Sequence, residues 1–418
     1  MREVVIEAGA ISRVAEVMQR QQLSGPIFLL FDEITHHVAG ERVASVLGSA
    51  GIKVHARVLP GRPKAEYAIA EAIAAAVPAD TAAFISCGSG TITDLCKWAA
   101  YRKGLPQIAV ATAPSMNGYA SGIAALTRDG LKATMPITPA VAVIADLDVL
   151  ANAPMEMIRA GLGDILSKPV CNADWRIASL IRGERFCMRP FEMIRDLEHV
   201  YIGRAHLLQQ RDPQAIAALT EALVFAGISM VIAGSSQPAS GAEHLIAHFL
   251  DMRAAIDGRE PDFHGVEVGI GTIASAAIYE EFLRTSVDAI ERSSIESIWE
   301  RGDAALARCC DLLPHAADAI KEAFAKKRGN SVAAIAEAEK IIDMWTDIKA
   351  SARSFLKPAS EIESVLKSAG AKTSPAEIGV SRDSFLDAIA LSFCVRNRFT
   401  ILDVAFAAGM LDRWTGVR

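Results

Sequence analysis

The sequence predicts an α/β domain followed by an all-α domain, and two patterns support this fold class. Short apolar, β-prone runs alternate with helical runs as far as residue 154, and from there almost every run has helical periodicity. Strands that alternate with helices are typical of a parallel sheet with right-handed crossovers. Because 418 residues are enough for two hydrophobic cores, we predict one domain at residues 1–154 and a second at 155–418.

The amino-acid composition limits the partners and the cellular compartment that we expect for this protein. Hydrophobic residues make up 51% and charged residues 22% of the chain, which is ordinary for a globular protein. The net charge is −6 without a dominant basic cluster, so we expect no nucleic-acid partner. We find no signal-peptide pattern and no apolar run long enough for a bilayer, so we expect a cytoplasmic protein with no membrane partner. Seven scattered cysteines predict reduced thiols.

Five buried strands are predicted in the first domain, with helical runs between them. A hairpin with Asp129 and Gly130 at its turn is predicted after the fourth strand. In parallel sheets ligands bind at the carboxyl ends of the strands, so we expect ligand-binding residues in the loops at that edge. The predicted strands span residues 25–32, 52–60, 81–88, 106–114 and 140–147.

A glycine-containing turn follows the third predicted strand. Its sequence, GSGTITD, runs from Gly88 to Asp94 and leads into a helical run. Glycine lets the backbone approach a ligand closely, and the amides that open a helix attract an anion, so the turn is a candidate pyrophosphate cradle. It lacks the GxGxxG spacing, and a structural turn is the alternative. Asp32, which ends the first predicted strand, could reach a ribose or cap a helix.

A polar loop, TAPSMNGYAS, follows the fourth predicted strand at residues 112–121. Small hydroxyl residues at this edge of a sheet are frequent substrate contacts, although many such loops are only turns.

Three of the nine histidines lie within residues 241–271. His244 and His248 are four apart and share a helix face, and His264 opens a second apolar run. Two imidazoles at neighbouring helix starts, together with a carboxylate, form a plausible site for a divalent metal. We expect Asp164 to supply the carboxylate from a turn, Gly161 to Asp164, between two helical runs. Surface or core histidines are the alternative interpretation.

Six motifs taken together resemble one enzyme family. They are GSGTITD, TAPSMNGYAS, AVIADLDVL, AGLGDILSK, GAEHLIAHFLD and FHGVEVGIG, and they are similar in order and spacing to the sn-glycerol-1-phosphate dehydrogenases. That family belongs with the iron-containing alcohol dehydrogenases, glycerol dehydrogenases and dehydroquinate synthases. The resemblance is strong over residues 80–270 and weak beyond. It implies a dehydroquinate synthase-like fold with an NAD(P)-binding α/β domain, a helical metal- and substrate-binding domain and an active site in the cleft between them.

The resemblance also implies roles for individual residues. It implies one divalent metal, zinc first and iron or nickel as alternatives, bound by Asp164, His244 and His264. His248 would contact the substrate or relay a proton, or only pack nearby. We expect NAD or NADP to contact Gly88, Ser89, Gly90, Thr91, Asp94, Thr112 and Ser115, with Asp32 at the ribose, and the substrate to contact Asn117, Ser121 and Lys168, with Lys132 and Arg159 as further phosphate candidates.

One position departs from the family. The dehydrogenases usually read SMDGYAS, whereas this chain has Asn117 in place of the aspartate. Asparagine loses the charge and gains a donor, which leaves the reaction class in place and opens the question of the substrate. The implied reaction interconverts a polyol phosphate and its ketone, most simply sn-glycerol 1-phosphate and dihydroxyacetone phosphate, in a homodimer or larger homo-oligomer. A dehydroquinate synthase-like cyclase and a non-catalytic nucleotide-binding protein are the alternatives.

Overall fold

The computed structural model describes residues 1–128 and 131–414. The chain divides into two compact units. The first unit contains Met1–Ile165 and Glu192–Ser236, and the second contains Leu166–Phe191 and the residues from Gln237 onward. The first unit therefore includes residues 155–165 and 192–236, which the sequence-based boundary at 154/155 assigns to the second domain. That boundary remains a prediction.

A parallel sheet forms the centre of the first unit. Within the described residues it has six strands in the order β1-β8-β5-β4-β2-β3, and every neighbouring pair is parallel. All five predicted strands are confirmed, with slightly shorter limits. The sheet consists of β1 (Glu3–Glu7), β2 (Ile27–Asp32), β3 (Val54–Leu59), β4 (Ala83–Gly88), β5 (Gln107–Ala111) and β8 (Ala142–Asp146).

Strand β1 was not among the predicted strands. Its sequence, EVVIE, is short and carries a charge at each end, so its apolar pattern is weak. Among the described residues it pairs with β8 alone, in the register Glu3 to Ala142 through Glu7 to Asp146. The pairing partner is far away in the sequence, and for this reason local pattern alone did not reveal the strand.

The predicted hairpin is present as β6 (Ile123–Arg128) and β7 (Leu131–Pro136), which pair in the antiparallel sense. The predicted turn residues, Asp129 and Gly130, lie outside the described residues. The hairpin forms a sheet of its own, separate from the parallel sheet.

Helices cover both faces of the parallel sheet. One face packs Ile11, Val17 and Leu47 against Ile85 and Ile144. The other face packs residues such as Leu95 and Trp98 against Phe28 and Phe84. The α-helices up to residue 166 are α1 (Val14–Arg20), α2 (Glu33–Thr35), α3 (Glu41–Ser49), α4 (Tyr67–Ala76), α5 (Gly90–Lys103), α6 (Leu147–Leu150) and α7 (Met155–Leu166).

The rest of the described chain is helical and contains no further strand up to residue 414, as predicted. The helices of this region are α8 (Lys168–Arg182), α9 (Arg189–Gly203), α10 (Pro213–Ala233), α11 (Ala242–Ile256), α12 (His264–Arg284), α13 (Arg292–Glu296), α14 (Ile298–Leu312), α15 (Ala317–Arg328), α16 (Ser331–Asp343), α17 (Trp345–Arg353), α18 (Ala359–Ser368), α19 (Arg382–Leu391), α20 (Ile401–Ala407) and α21 (Leu411–Trp414).

Helix α10 is the one described helix that is long and apolar enough to cross a membrane, judged by length and composition. The structure buries 67% of its most apolar window within the protein, so its apolar surface serves the core of the first unit. The sequence-based expectation that no apolar run is long enough for a bilayer is wrong for this helix, because the run continues over all 21 residues of Pro213–Ala233. All seven cysteines are free thiols, as predicted.

The predicted turn at Gly161 to Asp164 is wrong. All four residues lie inside α7, which is continuous from Met155 to Leu166. The glycines suggested a turn, but Gly161 serves close packing, because a Cβ at this position would overlap the backbone carbonyl oxygen of Pro114. The packing compensates for the low helix propensity of glycine.

Candidate active site

The glycine turn joins β4 to α5. Gly88 ends β4, Ser89 lies between the two elements and Gly90 opens α5. A Cβ on Gly88 would lie 2.5 Å from the Cβ of Ile92, so this position requires glycine. The first N–H groups of a helix have no intrahelical acceptor and attract an anion together with the helix dipole. The geometry suits the proposed pyrophosphate cradle, and the cofactor contacts of Gly88, Ser89, Gly90 and Thr91 remain predictions.

Asp32 ends β2 and caps the short helix α2. Its Oδ1 accepts hydrogen bonds from the Thr35 backbone N–H at 2.7 Å and from the Thr35 hydroxyl at 3.0 Å. The capping role offered as one alternative is therefore present. The contact with a ribose remains a prediction.

The loop after β5 is fixed by a buried lysine, which sequence reasoning missed. Lys97 of α5 is fully buried, and its Nζ donates to the backbone oxygen of Gly118, to Ser121 Oγ at 3.0 Å and to the backbone oxygen of Ile123 at 2.9 Å. Burial lowers the pKa of Lys97, and the charge of Asp94, 3.5 Å away, opposes this shift. The signal in the sequence was a lysine inside an otherwise buried helical run.

The same network contains two of the predicted site residues. Ser121 is fully buried and its hydroxyl is bonded to Lys97 and to backbone oxygens. Asp94 is also buried, and burial raises its pKa while Lys97 opposes the rise. Thr112 and Ser115 lie buried at the start of the loop, and the Thr112 N–H donates to the Gly88 oxygen at 3.2 Å. Their contacts with cofactor or substrate remain predictions.

Asp164 and Asn117 form a two-bond contact within the first unit. The Asn117 backbone N–H donates to Asp164 Oδ2 at 2.9 Å, and the Asn117 side-chain amide donates to Asp164 Oδ1 at 3.0 Å. Asp164 is only 1% exposed. Both carboxylate oxygens are therefore oriented by one residue that lies 47 positions away in the sequence.

The three histidines of the second unit lie together. His244 is the third residue of α11, His248 follows one turn later, and His264 is the first residue of α12. The ring centroids are 5.2 Å apart for His244 and His264, 5.6 Å for His248 and His264 and 6.2 Å for His244 and His248. The sequence-based expectation of imidazoles at neighbouring helix starts is confirmed.

Close packing of the two helices sets these distances. A Cβ on Gly271 of α12 would lie 2.6 Å from the backbone oxygen of Glu243 in α11, so the absence of a side chain lets the helices approach. His244 and His248 are buried and His264 is half-buried.

Glu243 orients the imidazole ring of His244 and was not identified from the sequence. Its Oε1 lies 2.8 Å from His244 Nδ1 and accepts a hydrogen bond from the Gly241 backbone N–H at 2.8 Å. A carboxylate on Nδ1 places the ring proton there and leaves Nε2 as the nitrogen with a lone pair for a cation. The signal in the sequence was an acidic residue directly before a candidate ligand.

A second buried carboxylate lies beneath the start of α11. Asp174 of α8 accepts hydrogen bonds from the backbone N–H groups of Ala242 and Ile401, each at 2.7 Å, and from the Tyr279 hydroxyl at 2.6 Å. Burial, together with the charge of Glu243, raises the pKa of Asp174 to about 8. Burial also raises the pKa of Glu243 to about 7.

Asp251 and Lys168 of the second unit concern the predicted metal site and the predicted substrate contacts, respectively. Asp251 was not selected from the sequence, yet its carboxylate and the nitrogens of His248 and His264 all lie within 4.8 Å of one another. The spacing of three residues from His248 could have indicated it. Lys168 is fully buried at the start of α8, where its Nζ donates to Ser167 Oγ at 3.0 Å and to the Ala239 backbone oxygen at 3.3 Å.

The chemistry of these groups fits a divalent transition metal. Within the second unit, the clustered imidazoles include His244, whose tautomer is fixed by the Glu243 carboxylate. Within the first unit, Asp164 is a buried carboxylate whose plane is fixed by two donors. Imidazole nitrogen with carboxylate oxygen suits zinc, iron or nickel.

Comparison with known proteins identifies the family. The chain is 33% identical over 296 residues to glycerol-1-phosphate dehydrogenase [NAD(P)+] of Halalkalibacterium halodurans, covering 70% of this chain and 74% of that protein. The chain belongs to the glycerol-1-phosphate dehydrogenase family. The enzyme of the same name from Pyrococcus furiosus is 34% identical over 66% of this chain and 78% of its own, and that of Bacillus velezensis is 28% identical over 97% and 91%.

Two further comparisons concern the first 154 residues and the fold. A family model for iron-containing alcohol dehydrogenases matches residues 5–154. Among solved structures, a probable glycerol dehydrogenase of Sinorhizobium meliloti has a TM-score of 0.63 at 16% identity and covers 100% of this chain and 98% of its own. Glycerol dehydrogenase of Schizosaccharomyces pombe has a TM-score of 0.61 at 16% identity, covering 99% and 90%. The structural likeness concerns the fold.

Proposed function

We propose that the protein interconverts sn-glycerol 1-phosphate and dihydroxyacetone phosphate, using NAD(H) or NADP(H) and one divalent metal. The observation that carries this proposal is the 33% identity to the Halalkalibacterium halodurans enzyme, of which the chain covers 74%. The oriented carboxylate of Asp164 and the histidine group of the second unit support it, because they are the donors that the family resemblance implies. We further propose a homodimer or larger homo-oligomer that works in the cytoplasm.

We propose Asp164, His244 and His264 as the metal ligands, with zinc first and iron or nickel as alternatives. A divalent cation held by these residues would supply Lewis acidity. It would polarise the substrate carbonyl in one direction of the reaction and make the alcohol group more acidic in the other. Three protein ligands leave coordination positions open, as in catalytic sites. Glu243 orients His244, and Asn117 orients Asp164.

The proposed chemistry is one hydride and one proton. NADH or NADPH, held by Gly88, Ser89, Gly90 and Thr91, would supply the hydride that reduces the carbonyl carbon of dihydroxyacetone phosphate and would be oxidised to NAD+ or NADP+, while the carbonyl oxygen takes up one proton. His248 lies beside His244 and His264 and is our candidate for holding that proton or the substrate hydroxyl. The start of α5 is proposed to bind the pyrophosphate, with Asp32 at the ribose. Thr112 and Ser115 would contact the cofactor, and Ser121 and Lys168 the substrate.

The direct experiment is a substrate screen. We expect the purified protein to oxidise NADH or NADPH when dihydroxyacetone phosphate and zinc or nickel are added, and to lose this activity after treatment with a chelator. A dehydroquinate synthase-like cyclase would release phosphate without net oxidation of the nicotinamide. Absence of turnover with either cofactor and any of the metals would contradict the proposal.

A second experiment tests the ligand set. His248, Asp251 and His264 form another group whose donor atoms lie close together. We expect Asp164→Asn and His244→Ala to release the metal, measured by elemental analysis after dialysis, and Asp251→Asn to retain it. Release from Asp251→Asn with retention in Asp164→Asn would replace the proposed ligand set with this other one.

A further inference from the structure

Asn117 is the residue at which this chain departs from the usual SMDGYAS pattern, and its side chain is directed at Asp164. The side-chain amide donates to Asp164 Oδ1 at 3.0 Å while the backbone N–H of the same residue donates to Oδ2 at 2.9 Å. One residue therefore bonds both oxygens of the carboxylate. Two such bonds fix the rotation of the carboxylate plane as well as its position.

The chain holds Asn117 rigidly enough for this task. Asn117 directly precedes the short 3-10 helix Gly118–Ala120, and the buried Nζ of Lys97 donates to the Gly118 oxygen at its start. On the other side, a Cβ on Gly227 of α10 would lie 2.5 Å from the Asn117 backbone oxygen, so α10 packs directly against this residue. The backbone N–H of Asn117 therefore cannot leave Asp164 without moving packed backbone, and this fixed backbone sets the point from which the side-chain amide reaches Oδ1.

The helix that carries Asp164 is held against the same loop. Gly161, one turn before Asp164 in α7, packs on the backbone oxygen of Pro114 so closely that no Cβ fits between them. Both partners of the amide–carboxylate contact therefore belong to one packed arrangement within the first unit. The contact is a built feature of the fold, because Asp164 is buried, Asn117 is half-buried and the backbone of each is packed against the other's element.

The chemical identity of residue 117 matters for this contact. An aspartate with the same side-chain conformation would place two carboxylates about 3 Å apart, an arrangement that like charges oppose strongly. Asparagine has the same shape but presents an N–H donor in that position. The neutral amide is thus the form of this side chain that attracts Asp164.

We propose that Asn117 is a positioning residue for the metal ligand Asp164. This inference rests on the proposed function, in which Asp164 binds the metal. It changes the role expected from the sequence, where Asn117 was assigned to the substrate. The amide that replaces the usual aspartate acts on the ligand geometry, so the substitution is compatible with a polyol phosphate as substrate.

The test measures metal binding by the full-length protein without any turnover. Asn117→Ala removes the side-chain donor and keeps the backbone bond, and Asn117→Leu does so with little change in volume. We expect zinc affinity, measured by competition with a chromophoric chelator, to fall by about 10- to 100-fold in both variants, as for other residues that orient ligands. We also expect the visible absorption bands of the cobalt-substituted protein to change, because they report ligand geometry.

A matched control removes an asparagine amide from elsewhere in the same unit. Asn152 is exposed, and its side-chain amide donates to the Asp148 backbone oxygen at 2.7 Å. Asn152→Ala should leave both zinc affinity and the cobalt spectrum unchanged. Thermal unfolding of each metal-free variant shows whether the fold survives, and the variant that remains folded decides the result.

Two outcomes separate this inference from the function on which it rests. If Asp164→Asn releases zinc while folded Asn117→Ala and Asn117→Leu bind it with wild-type affinity and spectrum, the positioning role of Asn117 is wrong and the ligand assignment stands. If Asp164→Asn retains zinc, the ligand assignment fails and the positioning role fails with it.

Discussion

Two regions of the molecule satisfy buried backbone groups with opposite kinds of side chain, a hydrogen-bond donor in one region and hydrogen-bond acceptors in the other. In the first unit, a buried cation, Lys97, donates to the backbone oxygens of the segment that begins next to Asn117. In the second unit, buried carboxylates accept from backbone N–H groups at the start of the helix that carries His244. Asp174 accepts from the Ala242 N–H, and Glu243 accepts from the Gly241 N–H.

The difference follows from which backbone groups each region presents. The loop after β5 directs carbonyl oxygens towards its interior, and these require a donor. The start of α11 presents N–H groups that have no intrahelical acceptor, and these require acceptors and favour negative charge. The neighbours of the proposed ligands differ in the same way, since an amide donates to Asp164 and a carboxylate accepts from His244. Backbone polarity thus decides whether a hydrogen-bond donor or an acceptor is buried in each of the two regions.

The largest effects are expected when a proposed metal ligand is removed from either unit. We expect His264→Ala and Asp164→Asn each to lose the metal and to lower kcat/KM by at least about 10²–10³-fold, the effect of losing one preorganised electrostatic stabiliser. Elemental analysis and steady-state kinetics check this. His315→Ala, an exposed histidine of the second unit, is the matched control. Full activity of metal-free His264→Ala would end the proposed mechanism.

Removing the cation of the first region should cost stability. Lys97→Met leaves the Gly118 and Ile123 oxygens and the Asp94 carboxylate without their buried donor, and we expect the free energy of unfolding to fall by about 3 kcal/mol. Denaturant unfolding followed by fluorescence measures it. Lys103→Met, at an exposed position of the same helix, should change stability by less than about 0.5 kcal/mol. Equal stability of both variants would show that the buried lysine is not an anchor.

Removing the Glu243 carboxylate, which orients His244, should affect the zinc affinity more than the free energy of unfolding. We expect Glu243→Ala to reduce zinc affinity by about 10- to 100-fold, and Glu243→Gln to reduce it less, because its carbonyl oxygen still accepts from Nδ1. Chelator competition measures the affinity. Glu281→Ala, which removes a partly exposed carboxylate near the end of the neighbouring helix α12, should bind zinc normally. Wild-type affinity in both Glu243 variants would contradict the orienting role.

The buried Asp174 carboxyl group of the second region should make the free energy of unfolding depend on pH. The pKa of Asp174 is about 8 in the folded protein, against 3.8 for the free side chain, because it is buried and lies near Glu243. Between these values the folded state keeps a proton that the unfolded state has released, so the free energy of unfolding falls as the pH rises from about 4 to about 8. This group contributes at most about 1.4 kcal/mol per pH unit.

The check is denaturant unfolding of wild type and Asp174→Asn across that pH range. The variant should show the shallower fall, and some slope should remain because Glu243 also has a raised pKa. A slope that is identical in both proteins would mean that Asp174 does not carry the proton.

The sequence predicted the parts of the structure that depend on local pattern. The strands of the parallel sheet other than β1 were found because a buried strand is a short apolar run between polar turns. The helix starts at His244 and His264 were found because each follows a polar segment and opens an apolar run. Where glycine had a packing role, as at Gly161 in α7, local pattern gave a turn where the structure has a helix.

By itself, the sequence determined the order of the elements, the spacing of His244 and His248 on one helix face, and the motifs that resemble the dehydrogenase family. The tertiary structure alone decided that the Asn117 amide meets Asp164, that Lys97 lies beneath Gly118, and that Asp174 lies beneath the start of α11. The physical reason is that a hydrogen bond between residues 47 or 68 positions apart depends on how packed elements bring them together, and local periodicity carries no information about that packing.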